Sequence, residues 1–158
     1  MIRNRRAFIV GIKSTTLSKK EKTFLKKYKP WGVILFSRNI KEFKQIKKLT
    51  SDLRLIFKDK KYPILIDQEG GRVNRLNNLI EASIFTAEYF GNLYKKNRSK
   101  FFNYYKVYIS QVSYLLNEIG ININTVPVLD VRKSKSSNII GDRSYSSIPK
   151  NVSKIGDL

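Results

Sequence analysis

The chain has 158 residues, 41% hydrophobic and 28% charged, which is apolar material enough for a packed core and the length of one ordinary domain. Cysteine and histidine are both absent, excluding disulfide frameworks, thiolate or imidazole metal sites and Ser-His-Asp triads within these residues. Lys+Arg outnumber Asp+Glu by 32 to 12, a formal charge of +20 that suggests an anionic partner.

From the amino terminus, residues 1–6 are basic and Ala7–Ile12 is a short continuous apolar run, the pattern of a strand buried on both faces. The pair is too short for a signal peptide and lacks a small-residue cleavage site. No apolar run approaches the roughly 18 residues of a membrane span, so the chain is expected to be soluble and cytoplasmic. Ser18 with Glu21 three residues on predicts a capping box, opening a helix to Tyr28 that turns Leu17, Phe24, Leu25 and Tyr28 inward and ends at Pro30. Gly32–Phe36 reads as a second buried strand closing in Ser37-Arg38-Asn39. Ile40, Phe43, Ile46, Leu49, Leu53 and Ile56 recur at helical spacing, and Pro63–Asp67 is a third strand.

A polar, glycine-bearing loop follows from Gln68 to Asn78, then a short helix over Ala82–Tyr94. A longer helix covers Phe101–Ile119, with Phe101, Tyr105, Tyr108, Val112, Leu115 and Ile119 on one stripe and Gly120 at the C′ position. Ile121–Asp130 is expected as a fourth strand interrupted by Pro127. Residues 131–148 then form a long polar loop, and Pro149 occupies N1 of a fifth helix. Four strand-then-helix units of this kind imply an α/β fold with a parallel sheet, either doubly wound or a (β/α)8 barrel. The first strand runs into Gly11-Ile12-Lys13-Ser14 without the Gly-x-Gly-x-x-Gly of a dinucleotide site, which favours the barrel. So do the polar residues gathered after strands two, three and four, where barrels place their sites.

Asp67 ends the third strand and is followed by Gln68-Glu69-Gly70-Gly71-Arg72-Val73. Adjacent glycines permit a sharp bend and close approach to a ligand. Flanking carboxylates and arginines form a polar floor suited to vicinal hydroxyls, as sugars present. Asp67 alone could equally be a turn residue or helix cap. Glu69 is expected to pair with Arg72 or Arg75, Asp130 to tether the loop after strand four, and Arg38-Asn39 to cap the next helix.

Leu35-Phe36-Ser37-Arg38-Asn39, Asp67-Gln68-Glu69-Gly70-Gly71-Arg72-Val73, Pro127-Val128-Leu129-Asp130-Val131 and Ile140-Gly141-Asp142-Arg143-Ser144-Tyr145 occur in this order. Together they resemble the amino-terminal half of the family 3 glycoside hydrolases, and among these the bacterial β-N-acetylhexosaminidases. The resemblance runs from about Ala7 to the end. It implies a (β/α)8 barrel, of which residues 1–158 supply about the first four β/α units. It also implies release of terminal β-linked N-acetylglucosamine from peptidoglycan fragments by a retaining mechanism, with no cofactor or metal. Asp67, Arg75 and Arg143 match the family's sugar-binding positions and would hydrogen-bond the terminal sugar's hydroxyls. Arg143 has a structural alternative, pairing with Asp142 or Asp130, and Arg75 could be one more surface cation.

Retaining hydrolysis needs a nucleophilic carboxylate and an acid/base group. The family takes these from a late Asp and a His-Asp pair beyond the stretch matched here, so no catalytic residue is assigned. The expectation is a fragment of a longer product, or a decayed gene, inactive alone. β-Glucosidase-type specificity is the alternative within the family, and an inactive sugar-binding half-domain is another. From a different class, a small basic nucleic-acid-binding protein fits the charge. However, the basic residues are scattered, Lys, Asn, Ile, Tyr and Phe are those an AT-rich genome favours, and no recognition motif appears. Nucleic acid is therefore expected to bind only nonspecifically, and no membrane partner is expected.

Overall fold

The computed structural model describes residues 4–133 and 138–158, which fall into two units. The centre of the expected 131–148 loop, residues 134–137, lies outside the described residues, as do residues 1–3 of the basic amino-terminal segment. Unit 1 holds the described residues up to Asp67, with Arg75–Glu81 and Tyr114–Asn124. Unit 2 holds Gln68–Asn74, Ala82–Ser113 and the described residues from Thr125 to Leu158.

Unit 1 carries a four-stranded parallel sheet in the order β1 (Arg6–Gly11), β2 (Pro30–Leu35), β3 (Ile64–Ile66), β4 (Ile123–Asn124). Between the strands lie α1 (Lys19–Tyr28) and α2 (Phe43–Phe57). Successive strands are sheet neighbours, and each parallel pair is joined by a connection that carries helix. Val33, Leu35, Ile64 and Ile66 are fully buried, and Ile46, Leu49 and Leu53 of α2 are buried with them.

Two strands depart from expectation. β1 alternates between exposed and half-buried residues, with Ile9 45% exposed, because it is an edge strand paired with β2 alone. The expected strand Ile121–Asp130 shrinks to two residues. Asn122 instead places its side-chain oxygen on the Ile64 amide at 2.8 Å, and Pro127 has no N–H to extend a ladder.

Helix α1 begins as its sequence predicts. The Ser18 hydroxyl accepts from the Glu21 amide at 3.2 Å, and the Glu21 carboxylate accepts from the Ser18 amide at 2.9 Å. Burial raises the Glu21 pKa, but hydrogen bonds from the Lys13 amide and from Ser18 outweigh it and hold the carboxyl below its ordinary value. The helix stops at Tyr28 because Lys29 takes a left-handed conformation, and Pro30 opens β2. Phe24 and Phe43, expected inside, are 41% and 38% exposed. Phe24 instead lies against Tyr28 with ring centroids 4.8 Å apart, and Lys47 sits over Phe43.

Below β3, Tyr62 is fully buried, stacks on Phe57 at 3.9 Å and donates to the Pro30 carbonyl at 3.2 Å. The Arg5 guanidinium, paired with Asp59, lies 4.7 Å from its ring centre. Desolvation drives the Tyr62 phenol well above its ordinary pKa, keeping it a donor.

In unit 2, α3 (Ala87–Lys96) starts five residues later than expected, because the Thr86 hydroxyl accepts from the Tyr89 amide at 2.9 Å and fixes the N-cap there. Asn97 separates it from α4 (Arg98–Glu118), which passes from unit 2 into unit 1. Inside unit 2, Phe90, Tyr94, Phe101, Tyr105 and Ile155 form a core flanked by Phe85, Tyr108 and Tyr145. α5 (Pro149–Gly156) has its proline in the first turn and contributes Val152 and Ile155 to buried positions.

In unit 1, α4 ends in a Schellman motif. The Ile121 amide bonds the Leu116 carbonyl at 2.8 Å, the Gly120 amide bonds the Asn117 carbonyl at 3.0 Å, and Gly120 has φ +78°. A Cβ there would sit 2.5 Å from Thr50 Oγ1, whose hydroxyl donates to the Ile119 carbonyl at 2.8 Å.

Leu53→Ala is expected to cost about 2–5 kcal/mol, whereas Phe24→Ala costs about 1 kcal/mol or less; urea denaturation of the two variants checks this ordering. Ser18→Ala should lose about 1 kcal/mol. Because Glu21 has a lowered folded-state pKa, its share of stability is present above the ordinary carboxylate pKa and lost as pH falls through the folded value. Denaturation midpoints across acidic pH should show that loss in the native chain and a smaller one in Ser18→Ala.

Candidate sugar-binding site

Parallel strands deliver their carboxyl ends to one edge, and in unit 1 that edge carries Gly11, Phe36, Asp67 and Asn124. It is braced by Asn39, which is wholly buried. Its amide donates to the carbonyls of Ile12 (3.2 Å) and Ser14 (2.9 Å), and its oxygen accepts from the Phe36 amide (2.9 Å). Arg38 Nε donates to the same Ile12 carbonyl at 3.0 Å. The Arg38-Asn39 pair therefore ties the ends of β1 and β2 together instead of capping α2, whose N-cap is Glu42.

Asp67 follows β3 directly, and Arg75 Nη2 approaches Asp67 Oδ2 at 3.7 Å, each side chain about 29% exposed. Two of the three expected site residues are thus neighbours in unit 1. The Arg75 guanidinium also lies 5.6 Å from the Phe36 ring centre, with Arg38 at 4.5 Å from the same ring. An acceptor carboxylate, a donor guanidinium and an aromatic face make a surface suited to a polyhydroxylated ring with one apolar face.

The third residue, Arg143, belongs to unit 2 and lies in a 3-10 turn, Gly141–Arg143. Its Nε and Nη2 donate to the two oxygens of Glu69, each at 2.8 Å. Glu69 therefore meets Arg143, a partner other than the expected Arg72 or Arg75. Arg72 instead meets Asp142 at 3.0 Å, and its Nη2 donates to the carbonyls of Asn138 (2.7 Å) and Ile139 (2.6 Å). The Asp130 backbone carbonyl accepts the Ser144 hydroxyl at 2.6 Å, joining the expected loop to its far end.

The two glycines between these residues are required. Gly70 and Gly71 have φ +91° and +56°. A Cβ on Gly70 would fall 2.3 Å from the Phe85 carbonyl oxygen, and one on Gly71 would fall 2.6 Å from Thr86 Cγ2. The Gln68 side chain is 2% exposed and donates to Asn74 at 3.0 Å, while Tyr108 donates to the Glu69 carbonyl at 3.3 Å. Burial pushes the Tyr108 phenol up to about 12, with the hydrogen bond to Gln68 opposing, so it stays protonated at neutral pH. Burial likewise raises Tyr105 and Tyr145, whose hydroxyls lie 2.8 Å apart. Among the described residues no group of three or more metal-ligating side chains converges, and no helix is long and apolar enough to cross a membrane.

Against known proteins, residues 5–158 match the family model of the glycosyl hydrolase family 3 N terminal domain. The "Beta-hexosaminidase A" of Pseudoalteromonas piscicida is 35% identical over 147 residues, covering 90% of this chain and 24% of that protein. The "Beta-hexosaminidase" of Hydrogenovibrio crunogenus is 32% identical over 152 residues, covering 94% and 41%. Among solved structures, NagZ from Neisseria gonorrhoeae in complex with N-trifluoroacetyl-D-glucosamine superposes with a TM-score of 0.80 at 26% identity, covering 96% of this chain and 45% of that one. The chain thus spans less than half the length of each of these relatives. Its parallel α/β sheet has the architecture of the family's N-terminal barrel domain, and its four strands do not close into a barrel.

Gly70→Ala should destabilise the chain by about 2 kcal/mol or more, through left-handed strain and the blocked Cβ position. Chemical denaturation measures it, and a loss below half that size would mean the turn has room that its geometry denies.

Proposed function

The chain belongs to glycosyl hydrolase family 3, and from that premise we propose that it forms part of the sugar-binding floor of a β-N-acetylhexosaminidase. Residues 1–158 are read as the amino-terminal part of a single barrel domain. The substrate is terminal β-linked N-acetylglucosamine on peptidoglycan fragments, hydrolysed in the cytoplasm with retention. The observation that carries the reading is the placement of Asp67 at the carboxyl end of β3 with the Arg75 guanidinium 3.7 Å away.

The chemistry of these groups suits the role. The Asp67 carboxylate accepts from a sugar hydroxyl, and Arg75 donates to a neighbouring one, so a vicinal pair is read by two charge-assisted hydrogen bonds. Arg143, in unit 2, is the third residue that the family resemblance assigns to hydroxyl contact, and Glu69 fixes its guanidinium plane. Holding the ring at several hydroxyls fixes its anomeric carbon for attack and converts binding into positioning. In this reading the chain's residues hold and orient the sugar, and none of them is assigned the nucleophile or the proton-transfer role.

Saturation-transfer NMR with methyl β-N-acetylglucosaminide tests it. The expected result is transfer to the pyranose protons of the sugar, with affinity reduced at least about tenfold, or 1.4 kcal/mol, in Asp67→Ala and in Arg75→Ala. Lys58→Ala should change nothing. Equal transfer to methyl β-glucoside would shift the specificity to the β-glucosidase type, and no binding to either would remove the reading. The chain alone should not turn over a chromogenic β-N-acetylglucosaminide.

A further inference from the structure

Helices α1 and α2 pack side by side in unit 1. A groove of about 370 Å3 there is lined by Lys22 and Lys26 of α1, by Asp52, Leu55 and Ile56 of α2, and by Lys58, the C-cap of α2. Lys22 and Lys26 stand one helical turn apart. Lys58 takes a left-handed conformation (φ 49°), and its amide bonds the Leu55 carbonyl at 3.3 Å. All three lysines are exposed, and among the described residues none of them is in an ion pair, whereas Asp52 is met by Lys48 at 3.3 Å. Leu55 is 73% exposed, the most exposed large hydrophobic side chain among the described residues.

Two costs meet in this groove. Like charges held close repel one another, and a leucine left in water forgoes the gain of burial. A partner that is both anionic and apolar relieves the two together. A nucleic acid is held by arginine forks and by aromatic rings on which bases stack, and the residues lining the groove include neither. An acidic peptide would answer the three lysines and leave the charge of the whole chain, +20, without a counterpart. An anionic lipid surface is extended, so it attracts the chain as a whole, and it offers an acyl boundary to a protruding aliphatic side chain.

We propose that the α1–α2 groove is a peripheral membrane contact, in which Lys22, Lys26 and Lys58 meet the headgroup phosphates of anionic lipids and Leu55 enters the interface between headgroups and acyl chains. The expectation of no membrane partner rested on the lack of an apolar run long enough to span a bilayer, and lying on the surface requires none. The contact is independent of the proposed sugar site.

The test sediments the purified 158-residue chain with phosphatidylcholine vesicles, with and without about one-third phosphatidylglycerol. Binding is expected to the anionic vesicles alone and should fall steeply as salt rises. The triple variant Lys22→Gln, Lys26→Gln, Lys58→Gln should bind at least about thirtyfold more weakly. Lys95→Gln, Lys96→Gln, Lys100→Gln removes the same charge from exposed positions of unit 2 and should bind within about threefold of the native chain. Equal losses in the two triples would reduce the attraction to net charge and overturn the proposal. The chain has no cysteine, so Leu55→Cys carries one environment-sensitive fluorophore on a native lysine background. Its emission should shift to the blue with anionic vesicles and stay unshifted with phosphatidylcholine. An unshifted probe on vesicle-bound chain, or no vesicle binding at all, overturns the proposal whatever the folding of the triple variants. If the groove triple loses affinity for oligothymidylate and keeps its affinity for vesicles, the groove serves nucleic acid and the proposal also fails.

Discussion

The directionality of a parallel sheet is the constraint on which the chemistry of unit 1 depends. Because β1 to β4 run the same way, Gly11, Phe36, Asp67 and Asn124 reach the same edge although they are scattered over more than a hundred residues. Parallel pairing also obliges each strand to return by a crossover, and the segments following the strands are left to serve as loops at that edge. One buried polar residue holds the arrangement there. Asn39 satisfies two carbonyls after β1 and one amide after β2, so the backbone leaves the sheet without stranding polar groups.

The large positive charge makes the rare carboxylates more informative than the abundant lysines. Asp59, Asp67, Glu69, Glu88 and Asp142 all face arginines, in contacts that pin loops or strand ends. The lysine contacts are of another kind: Lys48 with Asp52 and Lys47 with Glu118 join exposed helix surfaces, where an ion pair contributes about 0–1 kcal/mol. Arginine is the cation that can pin, because its planar fork satisfies two acceptors at once.

Much of this was legible in the sequence for local reasons. The Ser18–Glu21 box, the Gly120 stop and Pro149 in the first turn of α5 are devices spanning a few residues, and each forms where the residues place it. The alternation of apolar runs and amphipathic stretches sufficed for α/β with a parallel sheet. What failed depended on neighbours distant in sequence. Ala7–Ile12 reads as doubly buried, yet an edge strand lacks one neighbour and shows a face to solvent. Phe24 and Phe43 lie at positions adjoining the apolar stripe, and only the partner surface decides on which side of its border they fall. Ile84 and Phe85 carry the apolar pattern back beyond the true N-cap, so the helix reads as starting before Thr86 although Thr is a strong cap.

The partner of Glu69 shows why the site was harder to read than the fold. Arg72 stands three residues away, and three residues make a natural pair only where the backbone is helical. Here Gly70 and Gly71 are both left-handed, the Val73 amide returns to the Gly70 carbonyl at 3.1 Å, and helical adjacency does not exist. Glu69 and Arg72 both meet the segment 138–143, at different points: Glu69 takes Arg143, and Arg72 takes Asp142 and the carbonyls before it. The exchange satisfies each charge with one of opposite sign. It also binds the glycine turn to the later turn at two places, which one pair could not do without leaving a hinge. The same two glycines that make the local pairing unreadable are what make the distant one geometrically available.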